Sequence, residues 1–281
     1  MTGNALDNQI QPEKDYSLAS QLVDIGINLM HKSFNVDRSE VLARAHTAGV
    51  TRLIITGTSE RSSQEAATFA QKHRGVLYAT AGIHPHDSKH CTPATLTVLR
   101  TLAKYPEVVA IGECGLDYNR DFSPRPIQDQ WFEAQIQLAS ELKMPLFLHE
   151  RDAHQRFVEI LSRYSNALAK VVVHCFTGTA EELDKYLSMG FYIGITGWIC
   201  DDRRGTHLRA LVRRIPLDRL MLETDAPFLT PRDLRPQPAD RRNEPAFLPH
   251  ILNTVANALG KSPDEVATAT TATAQSFFGL R

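Results

Sequence analysis

The sequence has few cysteines, no long apolar run and almost no net charge, and each absence argues against a class of protein. Its four cysteines stand at unpaired spacings without a C-x-x-C motif, so we expect reduced thiols in a cytoplasmic protein rather than a disulfide framework. No stretch approaches the ~20 apolar residues of a membrane-spanning helix, and no membrane partner is predicted. The net charge of −1 argues against a protein that coats nucleic acid by bulk electrostatics.

Several catalytic motifs are missing as well. The sequence contains no Walker loop, no Rossmann glycine fingerprint and no G-x-S-x-G nucleophile elbow, so nucleotide-cofactor and serine-hydrolase functions have little support. The segment from His149 to His154 resembles a zinc-protease helix, but its spacing is H-E-x-x-x-H. At ~100° per residue the two histidines would point about 140° apart and would not share one helix face.

The apolar runs predict an alternation of strands and helices. The candidate strands are Leu22–Asn28, Arg52–Thr56, Leu77–His84, Val108–Glu113, Leu146–His149, Val171–Cys175, Phe191–Thr196 and Leu220–Asp225. Amphipathic or alanine-rich helices fall between them, at Arg38–Ala48, Ser62–His73, Ala94–Lys104, Ile127–Leu142, Ala153–Tyr164, Ala180–Met189 and Thr206–Arg214. Two further helices follow the last strand, at Ala246–Leu259 and Pro263–Ser276.

Eight strands alternating with helices predict a (β/α)8 TIM barrel. An open doubly wound sheet is the alternative, but such a sheet often has a glycine-rich loop after its first strand, and the loop LMHKSFN here contains no glycine. Residues 1–21 lack the hydrophobic core of a signal peptide, and we expect a disordered extension there. Residues 22–281 are predicted to form a single barrel domain.

Residues that can bind metal stand at the ends of five apolar runs. They are His84, Glu113, His149, His174 and Asp225. A histidine at a strand end is often only hydrogen-bonded, but the carboxyl ends of barrel strands converge on one face, so five such residues together predict a metal site. Imidazole and carboxylate donors suit Mg²⁺, Mn²⁺ or Zn²⁺. Glu113, on the fourth strand, is placed to bridge two ions.

Two cysteines directly follow predicted ligands. Cys114 comes after Glu113, and Cys175 comes after His174. Because successive side chains of a strand point to opposite faces, we expect both thiols to face away from the metal. Both are predicted to be small core residues.

A set of ordered motifs resembles the TatD family of metal-dependent deoxyribonucleases. They are AGIHPH, IGECGLDYNR, HERDA, HCFTG, GITGW, ETDAPFL and RRNEP, and they run through the chain from about Val23 to the C-terminal FFGL. The resemblance implies a TIM barrel that hydrolyses phosphodiester bonds. It implies a Mg²⁺-dependent 3′→5′ exonuclease that prefers single-stranded DNA ends, with a role in DNA repair or degradation.

The resemblance also implies roles for the strand-end residues. Glu113 would bridge two metals, with His149 and His174 on one ion and Asp225 on the other, while His84 would lie beside the substrate phosphate. Glu113, Asp225 and His84 would thus form the catalytic group.

The first strand departs from the family pattern D-x-H-x-H. This chain has Gly26 and Asn28 in place of the two histidines. One ion would then depend on carboxylates, water and the Asn28 amide, so we expect it to be held weakly. Restoring both histidines is expected to tighten that site.

Four further residues are candidates around the site. Asp24 is expected either to support the site or to be purely structural, and Trp198 either to stack a terminal base or to pack across the barrel top. Arg151 and Arg242 can each bind phosphate through paired donors. Arg242 is favoured, because the neighbouring Asp152 can engage Arg151.

Two other functions remain open. The first is an amidohydrolase, including a D-aminoacyl-tRNA deacylase, but many such barrels bridge their metals with a modified lysine where this chain has Glu113. The second is a metal-poor nucleic-acid-binding protein without catalysis. The ligand-type residues that are present favour the nuclease, and a monomer is the expected state.

Overall fold

The computed structural model of the protein describes residues 21–280. Within this range eight parallel strands form one sheet, and each strand pairs with its neighbours in chain order. The strands are β1 (Leu22–Ile27), β2 (Val50–Ile55), β3 (Leu77–Ala81), β4 (Val108–Asp117), β5 (Leu146–Arg151), β6 (Val171–Val173), β7 (Tyr192–Ile195) and β8 (Leu220–Leu222).

Helices connect the strands wherever the sequence predicts them. They are α1 (Arg38–Thr47), α2 (Glu60–Gln71), α3 (Pro93–Leu102), α4 (Arg125–Leu142), α5 (His154–Ser162), α6 (Ala180–Ser188), α7 (Thr206–Leu211), α8 (Leu248–Leu259) and α9 (Pro263–Phe278). Local chemistry fixes several of their ends. At the start of α6, for example, the Thr179 hydroxyl and the Glu182 carboxylate cap each other's backbone amides.

Backbone hydrogen bonds join the two outer strands into a nearly closed barrel. The Asp225 amide donates to the Gly26 carbonyl at 2.8 Å, and the Asn28 amide donates to the Ala226 carbonyl at 2.7 Å. These bonds link β1 to the segment just after β8, while the other strands pair laterally along the sheet. The predicted (β/α)8 barrel is confirmed.

All eight strands end one to four residues from their predicted ends, and the shifts next to Glu113, His174 and Asp225 matter most for the site. Strand β4 continues past Glu113 to Asp117, and its last residue pairs with Arg151 of β5, so Glu113 lies within a strand rather than at its end. Strands β6 and β8 stop before His174 and Asp225, which lie in the connections that follow. The site is therefore built partly from loop backbone above short strands.

Two hydrophobic layers leave one barrel end free for the site. The larger one packs the outer faces of the strands against the helices, and the smaller one fills the barrel interior. Helix α9 belongs to the inner layer, where Phe277 packs on Tyr192 at the start of β7, at 4.8 Å between ring centroids. The amino-terminal end of the barrel is thus covered, and the carboxyl end remains for chemistry. The prediction of a disordered extension at 1–21 lies outside the described residues, apart from Gln21.

Among residues 21–280, no helix is both long enough and apolar enough to cross a membrane.

Candidate metal centre

A buried carboxylate oxygen, Glu113 Oε1, is the centre of the site. Three imidazole nitrogens approach it: His174 Nε2 at 2.8 Å, His149 Nδ1 at 3.2 Å and His84 Nε2 at 3.3 Å. Glu113 is only 5% exposed, so this cluster is largely withdrawn from water. The structure thus brings together one carboxylate and three histidines from four different strands or strand ends.

The electrostatics of this cluster favour a negative charge on Glu113 and a positive charge next to it, as a cation site requires. Burial acts to raise the pKa of Glu113, but the surrounding histidines outweigh it and hold that pKa well below its usual range. Burial acts to lower the pKa of His174 and of His149, yet their carboxylate neighbours raise both. These pKa shifts favour protonated rings beside an ionised Glu113. A divalent ion can displace those protons and take the same positions.

Each of these two histidines also has a carboxylate behind it. Glu223 lies 3.3 Å from His174 Nδ1, and Asp117 lies 3.3 Å from His149 Nε2. A carboxylate on the far ring nitrogen orients a metal-binding histidine and increases its basicity. Sequence reasoning missed both acids as site residues. The signal was present, since Asp117 and Glu223 lie within the motifs GLDYNR and ETDAPFL.

His84 is arranged differently from the other two histidines. Its Nδ1 accepts the His86 amide at 3.1 Å, which leaves the ring proton on Nε2, facing Glu113. Burial lowers the pKa of His84, so the ring is neutral. A neutral ring with its N–H directed into the site is suited to donate to a substrate oxygen.

Asp225 and Asn28 form the other side of the site. The Asn28 amide donates to Asp225 Oδ1 at 2.9 Å, and burial raises the pKa of Asp225 to about 7. The Asn28 nitrogen is therefore engaged, and its carbonyl oxygen is the side-chain donor that remains for an ion. Asp225 and Asn28 thus offer two oxygen donors on this side of the site, and the weaker second ion site stays a prediction.

The surroundings of Gly26 argue against the expected benefit of restoring the first-strand histidines. A Cβ at Gly26 would stand 2.4 Å from Glu223 Oε2 and 3.2 Å from Phe147 Cζ. Glu223 cannot easily move, because it is fully buried and accepts the Cys175 amide at 2.5 Å. A Cβ at Gly194 would also lie 2.7 Å from Glu223 Oε1. Because Gly26 and Gly194 have no side chains, the Glu223 carboxylate occupies the space next to them. A histidine at position 26 does not fit beside it.

A cavity of 570 Å³ opens above Glu113 at the carboxyl end of the barrel. Its lining includes all five residues of the metal pattern together with Asn28, Arg151, Trp198 and Cys175. The prediction for Cys175 was wrong, since β6 has ended and a positive φ of 48° turns the backbone so that this residue faces the cavity. Cys114 is fully buried, as expected.

Trp198 follows β7 in a short 3-10 turn, Gly197–Cys200. Its ring is half-buried against the outer hydrophobic layer, lines the cavity, and has the Arg204 guanidinium 5.6 Å from its centroid. Trp198 therefore packs against the barrel, as one of the two alternatives predicts, and part of its ring remains accessible from the cavity. Base stacking on it stays a prediction.

The contacts favour Arg151 over Arg242 as the phosphate-binding residue, against the preference drawn from the sequence. Arg242 makes a bidentate ion pair with Asp37, at 2.6 and 2.8 Å, and a further bond to Glu244 at 2.8 Å. The donors of its two terminal nitrogens are thus committed to the fold. Arg151 is exposed and lines the cavity, and the expected competitor Asp152 accepts from Asn119 instead.

Because Arg151 lines the cavity and Arg242 is held by ion pairs, the same substitution should affect substrate binding at one position and stability at the other. Arg151→Gln should raise KM for single-stranded DNA about fivefold, roughly 1 kcal/mol, without lowering stability. Arg242→Gln should instead lower the free energy of unfolding by roughly 1–3 kcal/mol, because it removes the most buried cation of the cluster and leaves Asp37 and Glu244 paired with Arg44 alone. Steady-state kinetics and urea unfolding of both variants measure the two effects. The reverse pattern would restore Arg242 as the phosphate-binding residue.

Asp24 supports the site from below. It is fully buried, and its Oδ1 accepts the amides of Gly26 at 3.2 Å and Thr224 at 3.0 Å. It therefore fixes the backbone of β1 to the segment that precedes Asp225. Burial raises the pKa of Asp24 to about 7.

The raised pKa makes the effect of Asp24→Asn depend on pH. The folded protein keeps this proton up to about pH 7, whereas the unfolded chain loses it near pH 4, so the free energy of unfolding falls as pH rises between these values. Asparagine keeps the oxygen that accepts the Gly26 and Thr224 amides, without a charge. The free energy of unfolding of Asp24→Asn, relative to that of the wild type, should therefore rise by about 2–3 kcal/mol from pH 5 to pH 8. Urea unfolding in EDTA at both pH values measures this, and a difference independent of pH would contradict it.

Comparison with known proteins agrees with this geometry. The family model described as TatD related DNase matches residues 23–279. A "3′-5′ ssDNA/RNA exonuclease TatD" of Citrobacter rodentium is 52% identical over 92% of this chain and 98% of its own length. A protein of the same name from Pantoea vagans is 52% identical, over 92% and 100%. The crystal structure of YJJV, a TatD homologue of Escherichia coli, superposes with a TM-score of 0.85 at 26% identity, over 94% of this chain and all of that one. The chain belongs to the TatD-related DNase family.

Proposed function

We propose that this protein is a metal-dependent exonuclease that hydrolyses phosphodiester bonds from the 3′ end of single-stranded DNA and RNA. The observation that carries the proposal is the convergence of three histidines on the buried Glu113 oxygen, within a chain of a nuclease family. The relatives' names support the polarity and the substrates. We also infer a monomer that acts in the cytoplasm, as expected from the sequence.

The donor set fits two divalent ions of unequal affinity, with Mg²⁺ as the expected ion and Mn²⁺ or Zn²⁺ as alternatives. His149 and His174 would hold one ion with Glu113, while Asp225 and the Asn28 carbonyl would hold the second, also with Glu113. When bound, such ions activate water and neutralise charge on the phosphate. This assignment rests on the nitrogen donors of the first site and the oxygen donors of the second.

The protein's own residues position the substrate and the ligands. Glu223 and Asp117 fix the rings of His174 and His149 from behind, so these rings need no reorganisation when charge develops. His84 presents a neutral N–H to a phosphate oxygen. Arg151, at the cavity edge, can bind the next phosphate along the strand.

The depth of the site favours a chain end as substrate. Glu113 lies at the bottom of the cavity and is nearly inaccessible, so a phosphodiester must enter between the loops to reach it. A flexible single strand can do this more easily than a duplex. The aromatic rings of Trp198 and of Phe228, which is 49% exposed, line the cavity and can stack on the entering bases.

A degradation assay with blocked ends tests the proposal. We expect a 5′-labelled single-stranded oligonucleotide to shorten progressively with Mg²⁺, and to remain intact in EDTA or with a blocked 3′ terminus. An RNA of the same sequence should be degraded too, and a blunt duplex more slowly. Cleavage that persists in EDTA, or is unaffected by the 3′ block, would refute the proposal.

A further inference from the structure

A second group of potential metal ligands lies outside the lining of the cavity. It consists of Cys200 at the end of the 3-10 turn after β7, Asp233 in the long connection after β8, and His250 in α8. One ligand atom from each lies within 4.8 Å of the other two. His250 Nε2 is 2.7 Å from Asp233 Oδ1, and the Cys200 thiol is 3.4 Å from the Thr254 hydroxyl.

We propose that Cys200, Asp233 and His250 bind a zinc ion. A thiolate, an imidazole and a carboxylate are the donor types of protein zinc sites, at ~2.0–2.3 Å from the metal. Donor atoms around a tetrahedral ion then stand roughly 3.5 Å apart. The three atoms need only small side-chain movements to reach this geometry, and water or the Thr254 hydroxyl can complete the fourth position.

The alternative explanations leave part of the cluster unexplained. An ordinary ion pair between His250 and Asp233 accounts for two members but not for a sulfur that lies within 4.8 Å of both. A catalytic cysteine is excluded, because Cys200 is fully buried and burial raises the pKa of its thiol to about 12. Zinc binding would release the thiol proton to solvent, and the negative charges of the thiolate and the carboxylate would then neutralise the dication.

The position of this cluster suggests what the ion does. It would join three separate segments on the rim of the barrel, and Trp198 stands in the same turn as Cys200. The ion would therefore hold one wall of the substrate cavity. The side chains of Asp233 and His250 are 38% and 31% exposed, which gives zinc access from solvent without passage through the catalytic cavity.

Cobalt substitution tests the site without relying on activity. Co²⁺ bound by a cysteine thiolate absorbs in the near ultraviolet, whereas Co²⁺ bound only by histidine and carboxylate does not. Titration of the full chain with Co²⁺ should produce this band, and excess Zn²⁺ should remove it. Cys175→Ser is the matched control, because Cys175 lines the catalytic cavity instead. The Co²⁺ absorption band of this variant should be unchanged. Cys200→Ser should abolish the band.

A second variant separates loss of metal binding from misfolding of Cys200→Ser. His250→Gln changes a half-exposed side chain and should weaken Co²⁺ binding at this band at least tenfold, with an unchanged melting temperature in EDTA. Glu113→Gln should leave the band intact, which separates this site from the catalytic one. Absence of the band in wild type, or its loss in Cys175→Ser but not in Cys200→Ser, would overturn the proposal. Neither result would bear on the proposed nuclease function.

Discussion

Replacing Glu113 with glutamine should lower turnover on single-stranded DNA by more than about 100-fold. Removing a residue that only orients a metal ligand typically costs about 10–100-fold. The physical reason is that one buried oxygen lies within 3.3 Å of three imidazoles. The neutral amide removes the charge that holds the ions and presents N–H groups to them. Mn²⁺ affinity, measured by calorimetry, should fall together with turnover.

Glu65→Gln provides the matched control. Glu65 also lines the cavity, but it is exposed and paired with Arg61 on α2. The same loss of charge there should change turnover by no more than about threefold, because exposed ion pairs contribute little. Full activity of Glu113→Gln at saturating Mg²⁺ would show that the cluster is structural and that catalysis takes place elsewhere.

Gly26→Ala should lower the free energy of unfolding by roughly 1–3 kcal/mol, as overpacking of a buried site does. The added methyl would meet Glu223 Oε2 at 2.4 Å, and Glu223 would then lose its place behind His174. Mn²⁺ affinity should fall roughly 10–100-fold, the usual cost of removing such a support. Gly26→His combined with Asn28→His should likewise weaken metal binding rather than create a strong second site.

The background variant Glu223→Ala tests the cause of this effect. With the carboxylate removed, Gly26→Ala should cost less than it does in wild type, because the space beside position 26 is then open. Urea unfolding of the four proteins in the double-mutant cycle gives the coupling energy. An equal cost in both backgrounds would mean that strain in β1, and not contact with Glu223, limits position 26.

The sequence was sufficient to predict the barrel and the residues that meet at its carboxyl end, because both depend on local patterns. Buried parallel strands appear as continuous apolar runs, and the barrel then brings their carboxyl ends together without further information. His84, Glu113, His149, His174 and Asp225 were identified in this way, and all five line one cavity.

The parts that could not be predicted depend on contacts between residues distant in the chain. Arg242 pairs with Asp37, which is 205 residues away, and nothing near Arg242 indicates that partner. Cys175 faces the cavity because the backbone turns at a positive φ, which the strand period does not anticipate. The Glu223 carboxylate fills the space where a side chain at position 26 would lie. This contact is apparent only once the fold places β1 beside β8.

The central claim is that the histidines around Glu113 form a metal centre, and diffraction from a crystal soaked in Mn²⁺ tests it most directly. Anomalous difference maps at the manganese edge should show one strong peak between Glu113, His149 and His174. A weaker peak should appear between Glu113 and Asp225, and it should strengthen when a short single-stranded oligonucleotide is added. The absence of any peak within bonding distance of Glu113 at millimolar Mn²⁺ would contradict the claim.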